Sequence, residues 1–186
     1  MAYIINSEVP KQLASYSPNK TKIIYISSDS VFDGNKGDYS EKDTTNPVNI
    51  YAKSKLRGEK NVLSENENSI VVRTNIIGFH NSWGSSLFEW GLEELINNNE
   101  IKGFNDTYFN PVYTRQLANI IKLLIEKTDY TGIINVGSEN YISKYDFLLK
   151  LAKQFGINND LIEPASMNIL NSSLDRPKNT TLNISK

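Results

Sequence analysis

Short runs of β-branched, apolar residues alternate along this chain with segments whose apolar residues recur at helical spacing. The runs at 22–28, 70–77 and 133–137 predict buried strands. Helical patterns at 6–17, 50–65 and 114–125 accompany them. Strands that are apolar on both faces and separated by amphipathic helices are typical of a parallel sheet covered by helices. The sequence therefore predicts an α/β fold built from βαβ units.

Between and after these units, the sequence predicts a smaller group of elements that we place in a lobe. Residues 84–98 predict a further amphipathic helix, and 101–104 and 108–113 predict short strands. Asn49, Thr114 and Ser143 are expected to cap helices, and Gly156 to end the last one. We expect the tail, 164–186, to combine loops and short strands. No linker separates two independent domains.

Composition and charge exclude several classes of protein. The net charge of −1 offers no electrostatic reason to expect nucleic acid or an anionic membrane as a partner. No apolar stretch approaches the roughly 18 residues of a membrane span. The absence of cysteine excludes disulfides, and with His80 as the only histidine we predict no metal site. The first residues lack a basic segment followed by an apolar one, so we expect a cytoplasmic protein.

Three residues form a candidate catalytic group. Ser28 ends a predicted strand, and Tyr51 and Lys55 share one face of a predicted helix at positions i and i+4. A free tyrosine has a pKa of about 10, and a neighbouring cation favours the phenolate and lowers that value. Ser28 can orient a reacting oxygen beside Tyr51, but no side chain can supply a hydride, which must come from a cofactor. A second Tyr-x-x-x-Lys at Tyr16 is interrupted by proline and is a weaker candidate.

The residues around this group resemble the extended short-chain dehydrogenase/reductases, above all the dTDP-4-dehydrorhamnose reductase branch. Ile-Ser-Ser-Asp-Ser-Val-Phe-Asp-Gly at 26–34 is similar to the strand-end signature of that branch, Ser-Thr-Asp-Tyr-Val-Phe-Asp-Gly. Further similar segments follow in the family's order, so that the resemblance covers almost the whole chain; they lie at 39–41, 47–59, 72–78, 110–114 and 175–182. The stretch from Asn6 to Ala14 resembles the helix that precedes the signature strand.

The resemblance implies a fold and a set of site residues. The fold is the C-terminal part of a doubly wound, Rossmann-like parallel sheet (1–80 and 114–140) with a small substrate-binding lobe (81–113 and 141–186). Ser28 would orient the substrate oxygen, Tyr51 would donate the proton, and Lys55 would lower the pKa of Tyr51. The expected contacts with NADP or NAD are Ser27, Tyr51, Lys55 and Thr74. The expected contacts with a nucleotide-sugar are Asp29, Val31, Phe32, Asn75 and Arg176.

Two departures from the family pattern affect these expectations. Ser30 stands where the rhamnose branch has tyrosine, and Asn75-Ile76 where it tends to have Ser-Trp, which leaves the particular sugar open. The family's Gly-x-x-Gly-x-x-Gly turn, which holds the cofactor pyrophosphate, does not occur in this sequence. We therefore expect a fragment with an open edge on its first strand, poor NAD(P)H binding by the chain alone, and association as a homodimer or with a complementing N-terminal fragment.

Several functions remain open from the sequence. The first is NAD(P)H-dependent reduction of a 4-keto nucleotide-sugar, with epimerase or dehydratase activity on such a sugar as a related alternative. The second is a non-catalytic regulatory or binding subunit, because the regulatory beta subunit of methionine adenosyltransferase is a relative of this kind. A metal-dependent hydrolase is a weak third, since Asp29 and Asp33 alone do not make a metal site.

Overall fold

The computed structural model describes residues 1–18, 20–80, 86–169 and 176–186. The strands in these residues are β1 (Ile23–Ile26), β2 (Ser69–Thr74), β3 (Ile76–Ile77), β4 (Ile101–Phe104), β5 (Tyr108–Phe109), β6 (Val112–Tyr113), β7 (Gly132–Val136), β8 (Ile142–Ser143) and β9 (Ile162–Ala165). The α-helices are α1 (Val9–Tyr16), α2 (Ile50–Glu65), α3 (Leu87–Ile96), α4 (Thr114–Glu126) and α5 (Lys144–Phe155). A π-helical turn, Ile4–Glu8, leads directly into α1.

The main sheet consists of three parallel strands in the order β1-β2-β7. Ile26 lies opposite Val72, which in turn lies opposite Ile134. Every residue of the central strand β2 is buried, as expected for a strand flanked on both sides and covered on both faces. Apolar residues of α1 and α2 pack on one face of the sheet, and those of α4 pack on the other. The predicted α/β class with parallel strands is thus confirmed.

A second core joins the remaining elements. Strands β4 and β9 pair in parallel, with Ile101 opposite Ile162. Against them pack α3 and α5, whose buried residues complete one apolar cluster: Leu92, Leu95, Leu148, Leu151 and Ala152. The division of the chain into a sheet part and a substrate-side lobe remains our proposal.

The helix boundaries follow local capping chemistry. The Asn49 side chain accepts a hydrogen bond from the Ala52 backbone N–H at 2.9 Å, and Ser143 accepts one from Asp146 at the start of α5. Gly156 ends α5 in the left-handed conformation, with φ of 68°. These three predictions are confirmed. Thr114 was expected as a cap but is the first residue of α4, because Tyr113 occupies the cap position.

Three predicted elements differ from the structure. The strand predicted at 108–113 is divided into β5, which pairs with β8, and β6. The predicted strand at 70–77 is divided at Asn75 into β2 and β3, and β3 pairs with β6 rather than in the main sheet. The division has a long-range cause, since the Asn75 side chain donates a hydrogen bond to Asp29 beyond the end of β1. The predicted helix at 84–98 is confined to α3, which begins after a Ser86 cap; positions 84 and 85 lie outside the described residues.

Strand β1 forms an edge of the described sheet, as predicted. Near it, the N-terminal helical segment exposes several large apolar side chains, among them Ile4 (60% exposed), Leu13 (64%) and Tyr16 (87%). Exposed large apolar side chains are typical of interaction sites where they form one patch. None of the helices in the described ranges has both the length and the apolar character needed to cross a membrane.

Candidate functional site

The predicted catalytic residues meet at the carboxyl end of β1. Ser28 follows this strand directly, and its side chain accepts a hydrogen bond from the Ser30 backbone N–H at 3.1 Å, so that it caps the short helical turn Asp29–Val31. Tyr51 lies in the first turn of α2, which the Asn49 cap starts at this edge of the sheet. The Tyr51 phenol lies close enough to the Ser28 side chain for the two groups to interact. The structure therefore brings together the two residues predicted to handle the reacting oxygen.

The protonation of Tyr51 depends on competing effects. Partial burial raises the pKa of Tyr51, the Ser28 side chain opposes the rise, and the negative charge of Asp29 adds to it. The result is a pKa above the ordinary value of 10.0. Tyr51 is thus a neutral phenol, able to donate a proton, throughout the physiological pH range.

Lys55 lies against the end of β1. The Lys55 ammonium donates a hydrogen bond to the Ile26 carbonyl at 2.7 Å and lies 4.8 Å from the centre of the Tyr25 ring. Burial lowers the pKa of Lys55, and the charge of Glu59 partly offsets this effect. Burial has the largest effect on the pKa of Tyr51 in this structure, and Lys55 binds the end of β1. That Lys55 lowers the pKa of Tyr51 stays a prediction.

Asp29 joins three parts of the chain. Its carboxylate is buried and accepts hydrogen bonds from Ser28 (3.0 Å), Ser30 (3.3 Å), Asn75 (2.8 Å) and Thr180 (2.6 Å). The donors come from the end of β1, the break after β2 and the C-terminal segment. With these four donors, Asp29 holds the site together as well as placing a negative charge beside Tyr51.

Ser27 participates in a buried ionic network. Its hydroxyl donates to Glu59, whose carboxylate also receives two charge-assisted hydrogen bonds from Arg73, 2.7 Å from Nη2 and 3.0 Å from Nε. Glu59 and Arg73 are almost completely buried, so each compensates the charge of the other. The network ties α2 to β1 and β2 next to the candidate catalytic residues.

The remaining predicted site residues are of two kinds in the structure: apolar side chains that pack in the core, and polar side chains. Val31 and Phe32 are fully buried, and the Phe32 ring stacks on Tyr39 with centroids 4.2 Å apart, which indicates packing rather than direct contact with a ligand. Asn75 is half-buried and bound to Asp29. The buried hydroxyl of Thr74 has no hydrogen-bond partner within the described chain, which is rare for a buried polar group.

Arg176 is exposed at the start of the last described segment. This segment is anchored to the site, because the Asn179 backbone N–H donates to the Gly34 carbonyl at 3.0 Å and Thr180 reaches Asp29. A second cation, Lys144, lies close enough to Arg176 for the two charges to interact. Burial lowers the pKa of Lys144, the charge of Arg176 lowers it further, and Asp29 partly offsets both.

Sequence reasoning missed Glu59, Arg73, Thr180 and Lys144. Glu59 carried a usable signal, since it follows Lys55 by four residues on the same helix face. The others carried none, because their roles depend on contacts between segments distant in the sequence. Within the described ranges, no group of three or more acidic or histidine side chains could hold a metal ion.

The chain matches the family model for the RmlD substrate binding domain over residues 1–186. It is 28% identical over 173 residues to methionine adenosyltransferase 2 subunit beta of Danio rerio, covering 88% of this chain and 53% of that protein. It is also 28% identical over 198 residues to dTDP-4-dehydrorhamnose reductase of Aggregatibacter actinomycetemcomitans, covering 100% of this chain and 66% of that protein.

Similarity extends to solved structures. The dTDP-4-dehydrorhamnose reductase of Bacillus anthracis, crystallised in complex with NADP, superposes with a TM-score of 0.87 at 27% identity, covering 97% of this chain and 63% of the reductase chain. In each of these comparisons, this chain spans between about half and two thirds of the relative's length.

Proposed function

We propose that this chain, which belongs to the RmlD substrate binding domain family, forms part of an NAD(P)H-dependent reductase of 4-keto nucleotide-sugars. In this proposal the chain supplies the proton donor and binds the substrate. The observation that carries the proposal is the placement of the Tyr51 phenol beside the Ser28 side chain at the carboxyl end of β1. The chemical class follows from this pair, because reduction of a ketone requires a proton at the oxygen that receives it.

The proposed proton transfer uses groups already described. When its hydroxyl turns from Asp29 to the ketone, Ser28 donates a hydrogen bond to the ketone oxygen and holds it against Tyr51, which donates its proton as negative charge develops there. The raised pKa of Tyr51 keeps this proton in place until substrate arrives. Lys55, bound to the Ile26 carbonyl, keeps a positive charge near the site. The hydride comes from NADPH or NADH when the cofactor is bound.

The residues present fit one end of such a cofactor. The unpartnered Thr74 hydroxyl and the half-buried Lys55 ammonium can donate to its nicotinamide riboside half. Ser27 is the less favourable of the predicted contacts, because its hydroxyl donates to Glu59. The sequence contains no glycine-rich turn for the pyrophosphate, so we propose that binding requires a complementing dinucleotide-binding segment. The exposed N-terminal helical surface and the edge of β1 are where we place it.

The proposal is tested by reconstitution. The part of the Aggregatibacter reductase that this chain does not match is fused before Met1, and NADPH oxidation is followed with dTDP-4-dehydrorhamnose as substrate. We expect turnover by the fusion and none by the 186-residue chain alone. A folded fusion that binds NADPH but leaves the ketone unreduced would contradict the proposal. Product analysis separates reduction from epimerisation or dehydration, which use the same type of tyrosine.

A second candidate function is that of a non-catalytic subunit. The similarity to methionine adenosyltransferase 2 subunit beta supports it, together with the exposed apolar surface that includes Ile4, Leu13 and Tyr16. Stoichiometric recovery of one partner enzyme with the tagged chain, combined with an inactive fusion, would favour this function. A homodimer and a cytoplasmic location remain proposals from the sequence.

A further inference from the structure

A polar cavity lies outside the candidate catalytic site. Its volume is about 450 Å³, within the range of about 300–1,000 Å³ that is typical of small-molecule sites. Its walls come from the turn at 36–38, from β5, from the connection between β7 and β8, and from the C-terminal segment at 179–182. Four separate segments of the chain therefore converge on one concave surface.

The C-terminal segment separates this cavity from the catalytic residues. Thr180 directs its hydroxyl to Asp29, whereas its neighbours Asn179 and Thr181 line the cavity. This alternation is what an extended segment produces, because successive side chains point to opposite faces. Neither Ser28 nor Tyr51 belongs to the cavity lining.

Two tyrosines give the cavity an aromatic wall. The rings of Tyr108 and Tyr141 meet edge to face, with centroids 6.0 Å apart and an angle of 82° between their planes. Tyr141 is 67% exposed, an unusually open position for a large ring on a folded protein. A tyrosine ring offers a flat surface for the C–H groups of a sugar and a hydroxyl at its edge.

The polar lining is mixed in sign and rich in hydrogen-bonding groups. Asp38 and Glu139 contribute two carboxylates and Lys36 one ammonium, so the wall carries a formal charge of −1. The Lys36 ammonium already donates to Asp43 at 2.6 Å, outside the cavity lining. Phosphates and other anions are therefore disfavoured, whereas a neutral ligand with many hydroxyls finds both donors and acceptors.

The cavity is also preformed. Buried Asn110 donates hydrogen bonds to the carbonyls of Ser138 and Leu182 and accepts one from the Leu182 backbone N–H at 2.9 Å. These bonds fix three of the converging segments relative to one another. A wall fixed in this way reduces the ordering that a ligand must induce when it binds.

We propose that this cavity binds a neutral pyranose unit, stacked on Tyr141 and hydrogen-bonded by Glu139 and Asn179. It is distinct from the proposed nucleotide-sugar site and does not depend on the proposed reaction. A molecule with both sites would hold a saccharide near the catalytic edge without acting on it.

The test is saturation-transfer NMR on the 186-residue chain with methyl α-glucopyranoside, methyl α-galactopyranoside and methyl α-rhamnopyranoside. We expect saturation transfer from the unmodified chain to at least one glycoside. Tyr141→Ala should bind that glycoside at least tenfold more weakly than the unmodified chain does. The unmodified chain should bind the phosphate of the same sugar more weakly than the glycoside. Tyr16→Ala removes another exposed tyrosine and is the control that should bind normally, and Ser28→Ala should do the same.

Three results would overturn the proposal. These are no transfer to any of the glycosides, equal transfer in Tyr141→Ala and in the unmodified chain, and loss of transfer in Ser28→Ala, which would assign the sugar to the catalytic site. Because Tyr141 is largely exposed, its replacement is expected to leave the fold intact, and a circular dichroism spectrum verifies this. Glu139→Gln serves as a second variant at an exposed side chain, and we expect it to weaken binding too.

Discussion

At the scale of single residues, Asp29 and Ser28 together determine how Tyr51 behaves. Partial burial is the largest effect and raises the pKa of the phenol, the Ser28 side chain lowers it, and the Asp29 carboxylate adds a smaller rise. A proton donor to a developing alkoxide benefits from this combination, since the phenol stays neutral yet has a hydrogen-bonding partner beside it.

These effects predict opposite shifts in two variants. Asp29→Asn removes the negative charge and should lower the pKa of Tyr51, whereas Ser28→Ala removes the hydroxyl beside the phenol and should raise this pKa further. The measurement is a pH titration of carbon-13-labelled tyrosine by NMR, with Asp129→Asn, an exposed carboxylate elsewhere, as the control. A Tyr51 titrating below the ordinary 10.0 in the unmodified chain would contradict our account of the site.

The buried pair Glu59–Arg73 leads to a second prediction at this scale. Arg73→Met leaves Glu59 buried without its partner and should reduce the free energy of unfolding by about 3–5 kcal/mol. The double variant Arg73→Met/Glu59→Met should lose much less than the sum of the single variants, because no uncompensated charge remains. Urea unfolding measures all three. Simple additivity would show that the two side chains are not energetically coupled.

At the scale of elements, the position of α2 depends on a close approach at Gly58. A Cβ atom at this position would lie 2.0 Å from the Asn6 carbonyl oxygen and 2.3 Å from the Tyr25 hydroxyl. Tyr25 donates a hydrogen bond to that same carbonyl at 2.7 Å. The contact brings α2, with Tyr51 and Lys55, against β1.

Gly58→Ala is therefore predicted to destabilise the chain by about 1–3 kcal/mol through steric overlap. The prediction runs against helix propensity, by which the same change inside a helix stabilises by roughly 0.5–1 kcal/mol. Lys60→Ala, at an exposed position of the same helix, is the control and should change little. Thermal unfolding distinguishes the outcomes, and a more stable Gly58→Ala variant would refute the close approach.

The elements that could be predicted from the sequence are those fixed by local chemistry. Helix α2 begins and ends as predicted, because an asparagine cap and a helical apolar pattern both lie within its own residues. The division of the strand at Asn75 could not be predicted, since its cause is a contact with Asp29, 46 residues earlier. The same limit applies to the site: Ser28 and Tyr51 meet as predicted, whereas Lys55 binds a carbonyl that the helical spacing alone does not reveal.

At the scale of the whole molecule, two carboxylates away from the main sheet contribute to acid stability. Glu89 accepts hydrogen bonds from the His80 backbone N–H and from the side chains of Ser86 and His80. Together these hydrogen bonds outweigh the desolvation of the carboxylate and hold the pKa of Glu89 at about 2. Burial alone would raise the pKa of Asp106, but its hydrogen bonds with Met167, Ser166 and Lys178 prevail and lower it to about 2.

The sign of the resulting pH dependence follows from linkage. Both groups have lower pKa values in the folded chain than their ordinary values of 4.5 and 3.8, so their contribution to stability is complete above about pH 5. It is lost as the pH falls toward 2. We expect the melting temperature to drop over this range and the drop to be smaller in Glu89→Gln and Asp106→Asn, with Asp129→Asn as the control. If the melting temperature fell with pH as steeply in both variants as in the unmodified chain, Glu89 and Asp106 would be excluded as the source of the pH dependence.

The proposal that Tyr51 is the proton donor is tested most directly in the fusion with the Aggregatibacter segment. Tyr51→Phe is compared with Tyr16→Phe, which alters the other Tyr-x-x-x-Lys of the sequence, and NADPH oxidation is measured with dTDP-4-dehydrorhamnose. Our account predicts that Tyr51→Phe reduces kcat by at least about 100-fold while Tyr16→Phe leaves it unchanged. Undiminished turnover by Tyr51→Phe would contradict the account.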